Sequence, residues 1–257
     1  MPSPAVDAES RAGAERLAQL VGESGCTVAL TGAGISVPSG IPDFRTPGTG
    51  LWEKVDPMEV AHIQVFERDP ARFWSYYRPR FHSLADKRPN RGHDALAELE
   101  RRGLLEGVIT QNIDRLHRAA GSKNVVEVHG SIDTSSCTRC AASYEIEEVE
   151  ALFDEQGVAV CTTCGGSVKP DVVLFGELLP ERAMTGARRL AEEVELMLCV
   201  GSSLEVHPVA ALPGLTLERG GRLAIVTKGP TPYDQEAALK LDGEIDVELA
   251  ALLEALG

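Results

Sequence analysis

Two groups of residues in this chain have the types and spacing to do chemistry. The first is Cys137-x-x-Cys140 and Cys161-x-x-Cys164, two pairs separated by residues 141–160. Each C-x-x-C turn presents two thiolates about one turn apart, and two such turns close a tetrahedron that suits zinc. Four sulfur ligands leave no open position for water, so the metal would be structural. A redox dithiol would need a single pair. The second group is polar and follows apolar runs. Gln111, Asn112 and Asp114 come after 107–110, His129 after 125–128, Ser202 and Ser203 after 196–200, and Gly32-Ala33-Gly34 after 26–31. A histidine suits general-base work because its unperturbed pKa lies near neutrality. Taken alone, His129 could equally be a hydrogen-bonded core histidine. The glycines form only half of a dinucleotide fingerprint, because the third glycine position holds Val37. They can be a nucleotide loop or a plain turn.

The elements that must position these groups alternate strand and helix. Helical patterns cover 8–22, 91–102, 115–120, 180–193 and 247–256, and short apolar runs at 26–31, 107–110, 125–128, 172–177, 196–200 and 222–226 read as strands. This alternation predicts a parallel sheet with helices on both faces. In such sheets the ligand lies beyond the carboxyl ends of the strands, where the polar group falls. Two stretches interrupt the pattern. Residues 51–90 hold most of the aromatics in a helical pattern broken by Pro57, Pro70, Pro79 and Pro89, either a packed cap or a lid. Residues 131–170 hold the cysteine pairs and a helical piece at 145–155.

With 257 residues, 43% hydrophobic and 25% charged, the chain has the composition of a globular protein with a sizeable core. A net charge of −14 argues against nucleic acid or an anionic membrane as the main partner. It favours a basic substrate or simply solubility. No apolar run reaches membrane-spanning length, and the N-terminus lacks a signal-peptide core, so the expectation is a cytoplasmic protein, plausibly monomeric.

GAGISVPSGIPDFR, TQNIDRLH, VEVHG, the paired C-x-x-C, KPDVVLFGELLP and GSSLEVHP occur in sirtuin order. From about residue 10 to its end the chain resembles sirtuins, NAD-dependent protein-lysine deacylases. The resemblance implies an α/β fold: a Rossmann-type doubly wound parallel sheet with a smaller inserted domain, made of a helical module and a four-cysteine zinc ribbon. The NAD-binding domain would comprise 1–45, 91–131 and 171–257, and the small domain 46–90 and 132–170. NAD and the acylated lysine would meet in the cleft between them.

In this family the lysine amide oxygen attacks the anomeric carbon of the nicotinamide ribose and nicotinamide leaves. His129 would then act as general base on a ribose hydroxyl, which attacks the alkylimidate carbon and leads to O-acetyl-ADP-ribose. Asn112 and Asp114 would belong to the nicotinamide pocket with Ile113 beside them, and Gln111 would touch the ribose. Gly32, Ala33, Gly34 and Arg45 would face the phosphates, Ile35 would lie on the cofactor at the start of a flap over the nicotinamide ribose, and Asp43 would be either on the cofactor or bracing its loop. Phe44 would screen the reactive carbon, on a flap spanning 35–45. Gly201, Ser202 and Ser203 would line the ribose and phosphate side. Thr227 stands where sirtuins usually place an asparagine at the adenosine ribose, followed by Lys228 and Gly229; Asp246 and Val247 would lie near the adenine. The acyl-lysine peptide would enter as an added strand between Val173–Glu177 and Leu204–Val206, with Val173 accepting the lysine N–H and Phe175 and Gly176 beside the tunnel. Tyr77-x-x-Arg80 falls roughly where succinyl- and malonyl-removing sirtuins carry a carboxylate-binding pair. The leading expectation is a deacetylase. Acidic-acyl removal, protein ADP-ribosylation and non-catalytic NAD sensing are the alternatives.

Overall fold

The computed structural model describes residues 8–44, 46, 48, 50 and 55–257. Its helices are α1 (Ala8–Glu23), α2 (Pro57–Val60), α3 (Ile63–Arg68), α4 (Pro70–Ala85), α5 (Arg91–Arg101), α6 (Leu116–Ala119), α7 (Ile146–Val149), α8 (Glu181–Glu193), α9 (Leu212–Glu218) and α10 (Ile245–Leu256). Its strands are β1 (Thr27–Thr31), β2 (Gly107–Thr110), β3 (Val125–Glu127), β4 (Gly130–Cys137), β5 (Ser143–Glu145), β6 (Val168–Val172), β7 (Leu196–Val200), β8 (Arg222–Val226) and β9 (Leu239–Leu241).

The main sheet has the order β3-β2-β1-β7-β8-β9, and every pairing in it is parallel. Strands β1, β2 and β7 are buried along their whole length, as strands covered on both faces must be. Their side chains alternate between two cores. Ala29, Val108, Leu198 and Val200 pack with Leu17 of α1, Leu96 of α5 and Leu249 of α10. Val28, Leu30, Ile109 and Met197 pack on the other face with Leu190 of α8 and Leu212 of α9. The chain builds outward from β1 to β3, then returns to place β7 on the opposite side of β1. That reversal opens a crevice at the carboxyl ends of β1 and β7, where doubly wound sheets bind ligands.

A second, three-stranded antiparallel sheet, β5-β4-β6, shares a separate core with α3 and α4. Phe66, Phe73, Trp74 and Phe81 pack there against Ile132, Val168 and Val172, and the Trp74 indole donates to the Val168 carbonyl at 3.1 Å. Fully burying one such ring contributes about 1.5–3 kcal/mol.

Several expectations change. Pro57 and Pro70 open α2 and α4, where a missing N–H costs nothing, and Pro79 lies inside an unbroken α4. The run read as a main-sheet strand at 172–177 is not one: Val168–Val172 pairs with β4, and the chain then leaves regular structure. The helix expected over 145–155 reduces to α7 and a 3-10 turn at Glu150–Leu152. β9 and α9 were not expected. Their runs are short, and β9 is half-buried with Lys240 at its centre.

Candidate active site

The loops after β1 and β7 lock together. Gly32 N–H donates to the Val200 carbonyl at 3.0 Å and Gly34 N–H to the Gly201 carbonyl at 2.9 Å. A Cβ on Gly34 would sit 2.7 Å from Gly201 Cα, and Gly201 itself holds φ at 63°. Both positions therefore need glycine for loop-on-loop packing. Ala33–Ser39 forms a 3-10 turn with Ile35 and Ser36 fully buried. The expected flap thus has a fixed first half, because Ile35 belongs to the core on the α1 face. The Ile35 carbonyl accepts from Asn90 Nδ2 at 2.8 Å, which ties the turn to the start of α5.

Behind this turn lies a continuous polar network. Asn112 Nδ2 donates to the Gly32 carbonyl at 3.0 Å and to Ser36 Oγ at 3.2 Å. The Ser36 hydroxyl donates to Asp114 Oδ2 at 2.6 Å, and Leu116 N–H donates to Asp114 Oδ1 at 3.0 Å. Burial pushes the Asp114 carboxyl up, and the Ser36 hydroxyl and Leu116 N–H oppose it. His93 Nδ1 accepts from Asn90 N–H at 3.4 Å, which places the proton of the neutral ring on Nε2, 3.4 Å from Ser36 Oγ. His117 Nε2 meets Thr31 Oγ1 at 2.9 Å, and its Nδ1 is buried without a partner among the described residues. Burial pushes His93 down to about 4 and, with His93 beside it, His117 to about 3. Sequence reasoning did not single out Ser36, His93 or His117. The available signal was the Asn90-x-x-His93 helix start, a capping box in which histidine takes the usual Glu position.

His129 lies just past β3, half-buried. Its Nδ1 meets the Gln111 carbonyl at 3.0 Å. A carbonyl only accepts, so Nδ1 carries the proton and Nε2 is the basic nitrogen. Burial holds the His129 pKa below the usual histidine value, while the Gln111 carbonyl pulls it up. The ring is therefore neutral and basic at neutral pH.

The remaining expected residues fall around this centre. Gln111 Nε2 donates to Ser202 Oγ at 2.9 Å, and that hydroxyl also accepts Leu204 N–H at 3.2 Å. Ser203 and Val206 are half-buried beside them, and Leu204 is buried with φ at 55°. Ile113 packs against the small-sheet core. Thr227 N–H donates to the Leu241 carbonyl at 3.0 Å, and Lys240 Nζ donates to the carbonyls of Thr227 and Gly229 at 2.6 and 2.8 Å. Lys228 pairs with Glu244, the residue before α10, whose first turn holds Asp246 and Val247. Asp43 accepts Thr46 N–H at 2.8 Å, a loop brace, and Phe44 is exposed. Arg45 lies outside the described residues.

Val173 N–H donates to the His129 carbonyl at 2.9 Å, so the expected peptide-binding segment starts at the candidate base. Phe175 bridges Ala61 and Ile63 through its N–H and carbonyl, both at 2.9 Å, and Gly176 abuts the His62 ring. The Glu177 carboxylate is turned inward onto Leu174 N–H at 2.8 Å. Tyr77 stacks on Phe73 with centroids 4.5 Å apart, and burial pushes its hydroxyl pKa well up. Arg80 lies over the Tyr76 ring and donates to the Tyr76 carbonyl at 2.6 Å.

At the tip of the small sheet the Sγ atoms of Cys137, Cys140, Cys161 and Cys164 lie within 4.8 Å of one another. Cys137–Cys164 and Cys140–Cys161 are 3.5 and 3.6 Å apart. A tetrahedron with Zn–S bonds of about 2.3 Å has edges of about 3.8 Å, so the four sulfurs fit zinc. Tyr144 O–H donates to Cys161 Sγ at 3.1 Å and, with backbone N–H groups of Cys164 and Thr163, holds that thiol below its ordinary pKa. Four sulfur donors leave no open position, so a zinc held there would be structural.

The Sir2 family profile matches residues 32–208, more than half of the chain. The chain belongs to the Sir2 family. Among relatives, the NAD-dependent protein deacetylase of Sulfolobus acidocaldarius is 45% identical over 240 residues, covering 93% of this chain and 94% of the relative. That of Thermotoga maritima is 44% identical over 231 residues, covering 90% and 93%. The solved structure of Sir2 bound to acetylated peptide superposes with a TM-score of 0.87 at 39% identity, covering 95% of this chain and 99% of that one. A Sir2–p53 peptide–NAD+ complex gives a TM-score of 0.85 at 40% identity, covering 93% and 96%. The Sir2 fold therefore extends over both sheets.

Proposed function

We propose that this Sir2 chain is an NAD-dependent protein-lysine deacetylase that releases nicotinamide and O-acetyl-ADP-ribose. The observation that carries the reading is the tautomer of His129. Its Nδ1–H is held by the Gln111 carbonyl, so Nε2 takes the proton, and burial keeps the ring neutral. NAD, when bound, supplies the ADP-ribosyl group that accepts the acetyl and nicotinamide as the leaving group. The residues of the chain do the rest. Asn112 and Asp114, locked through Ser36, form a rigid wall for the nicotinamide end. The Gly32–Gly34 turn, Gly201–Ser203 and Thr227–Gly229 stand at adjacent strand ends, where the dinucleotide would lie. The Val173 carbonyl would accept the lysine N–H, and exposed Phe44 would close over the reacting carbon to exclude water. Positioning dominates such a step, because an amide oxygen is a weak nucleophile.

We assign NAD binding to 1–45, 91–131 and 171–257, and the smaller unit to 46–90 and 132–170. The separate core of α3, α4 and the small sheet supports this division. The paired C-x-x-C motifs, a spacing that favours metal over disulfide, support a reducing, cytoplasmic setting. No helix among the described residues is long and apolar enough to cross a membrane. Acetyl is the favoured acyl group, because Tyr77 is packed into the aromatic core and Arg80 is engaged by Tyr76. One relative, from Pyrobaculum aerophilum, is named NAD-dependent protein deacylase 2, at 42% identity over 93% of this chain and 94% of the relative. Acetyl- and succinyl-lysine versions of one peptide, assayed side by side with NAD, test the preference. Acetyl is expected to win by more than about tenfold, since a carboxylate without a partner loses well over 1.4 kcal/mol. Equal or faster succinyl removal would reverse the assignment.

A further inference from the structure

Residues 169–177 are braced by an ion pair that plays no part in the proposed chemistry. Lys169 Nζ donates to the carbonyls of Pro170 and Val172 at 3.0 and 2.8 Å and to Glu177 Oε2 at 3.1 Å. An ammonium has three N–H bonds, and these contacts engage all of them. Glu177 Oε2 also accepts Leu174 N–H at 2.8 Å, and Glu177 N–H donates to the Leu174 carbonyl at 3.0 Å. The two side chains are only 15% and 25% exposed, so the pair is shielded and geometrically committed. It spans the place where β6 ends and regular pairing stops. On either side of the brace, Val173 N–H is fixed to the His129 carbonyl and Phe175 to Ala61 and Ile63.

We propose that Lys169 and Glu177 are positioning residues that hold the Val173–Phe175 backbone ready for the acylated peptide and in register with His129. The proposal rests on this segment being the peptide-binding edge. A peptide adding as a strand needs a backbone already extended and fixed; where it is not, ordering it is charged against binding. The contacts of the brace lie wholly within 169–177, apart from the loops at 32–36, 201–203 and 227–229. Its loss should therefore weaken peptide binding and leave NAD binding in place.

The test compares Lys169→Met, Glu177→Gln and the double variant with the wild type. An acetyl-lysine peptide and NAD are titrated separately, and zinc content reports the small sheet. Each single variant is expected to raise the peptide KM about tenfold, with kcat falling by less than that and the NAD KM changing by less than about twofold. The double variant should be no worse than the more harmful single, as for two groups acting as one unit. Glu177→Gln keeps the shape of the side chain and decides the matter if Lys169→Met loses its zinc. Peptide and NAD constants rising together, an unchanged peptide KM, or effects that multiply in the double variant would each overturn the proposal. Anisotropy of a labelled acetyl-lysine peptide makes the same comparison without turnover. A wild type that binds the peptide but does not deacetylate it would thus count against the proposed function alone.

Discussion

His129 is placed by one short contact and one burial effect, and both have measurable consequences. Its pKa lies below the ordinary histidine value because burial outweighs the help of the Gln111 carbonyl. The base form is the neutral ring, so activity falls when the ring protonates. The acid limb of kcat/KM should then bend below about pH 6.5, the unperturbed histidine value. A limb centred above pH 7 would assign the titration to another group. The place of His129 at a strand end was legible because it closes an apolar run, whereas its proposed role as base rests on the resemblance to sirtuins. Ser36, His93 and His117 were not legible. Each is an ordinary polar residue, and its partner lies 57 to 86 positions away in the chain. Only the packing of α5 and α6 against the turn after β1 reveals that they form one network.

Among the elements, those built from a single physical rule were read correctly. β1, β2 and β7 are wholly buried runs, and a parallel sheet dictates that pattern. The run at 172–177 misled because a short apolar stretch looks like a buried strand; only Val172 of it is paired, at the end of β6, and β6 runs beside β4 in the small sheet, with the four cysteines gathered at one tip. Those cysteines also tie the metal to the packing. Cys137 and Cys161 are themselves part of the core that buries Trp74 and Phe73. Cys161→Ser should abolish zinc binding, read by metal analysis of the purified protein. It should also lower the thermal midpoint by about 10 °C, taking a few kcal/mol at about 2–4 °C each. A variant that loses zinc but keeps its midpoint would separate the metal from the fold.

Across the whole molecule, two buried neutral histidines set the response to acid. His93 and His117 have folded pKa values near 4 and 3, against about 6.5 when unfolded. Between those limits the unfolded chain binds more protons, so stability is full above about pH 6.5 and falls as pH drops. The slope approaches about 1.4 kcal/mol per pH unit for each histidine. The raised pKa of Asp114 acts in the opposite sense, favouring the folded state in acid. Urea midpoints should therefore hold from pH 7.5 to about 6.5 and decrease from there to pH 4.5, and His117→Gln should flatten the decrease. A midpoint independent of pH over that range would contradict a neutral, buried His93 and His117. The central claim concerns what the assembled crevice does with NAD and an acetylated lysine. Its most direct test is mass spectrometry of the products formed from an acetyl-lysine peptide and NAD by the wild type and by His129→Ala. Free lysine peptide, nicotinamide and O-acetyl-ADP-ribose should form in equal amounts with the wild type and at least about a hundredfold more slowly with the variant. Products at the same rate from both proteins, or nicotinamide without any O-acetyl-ADP-ribose, would contradict the account.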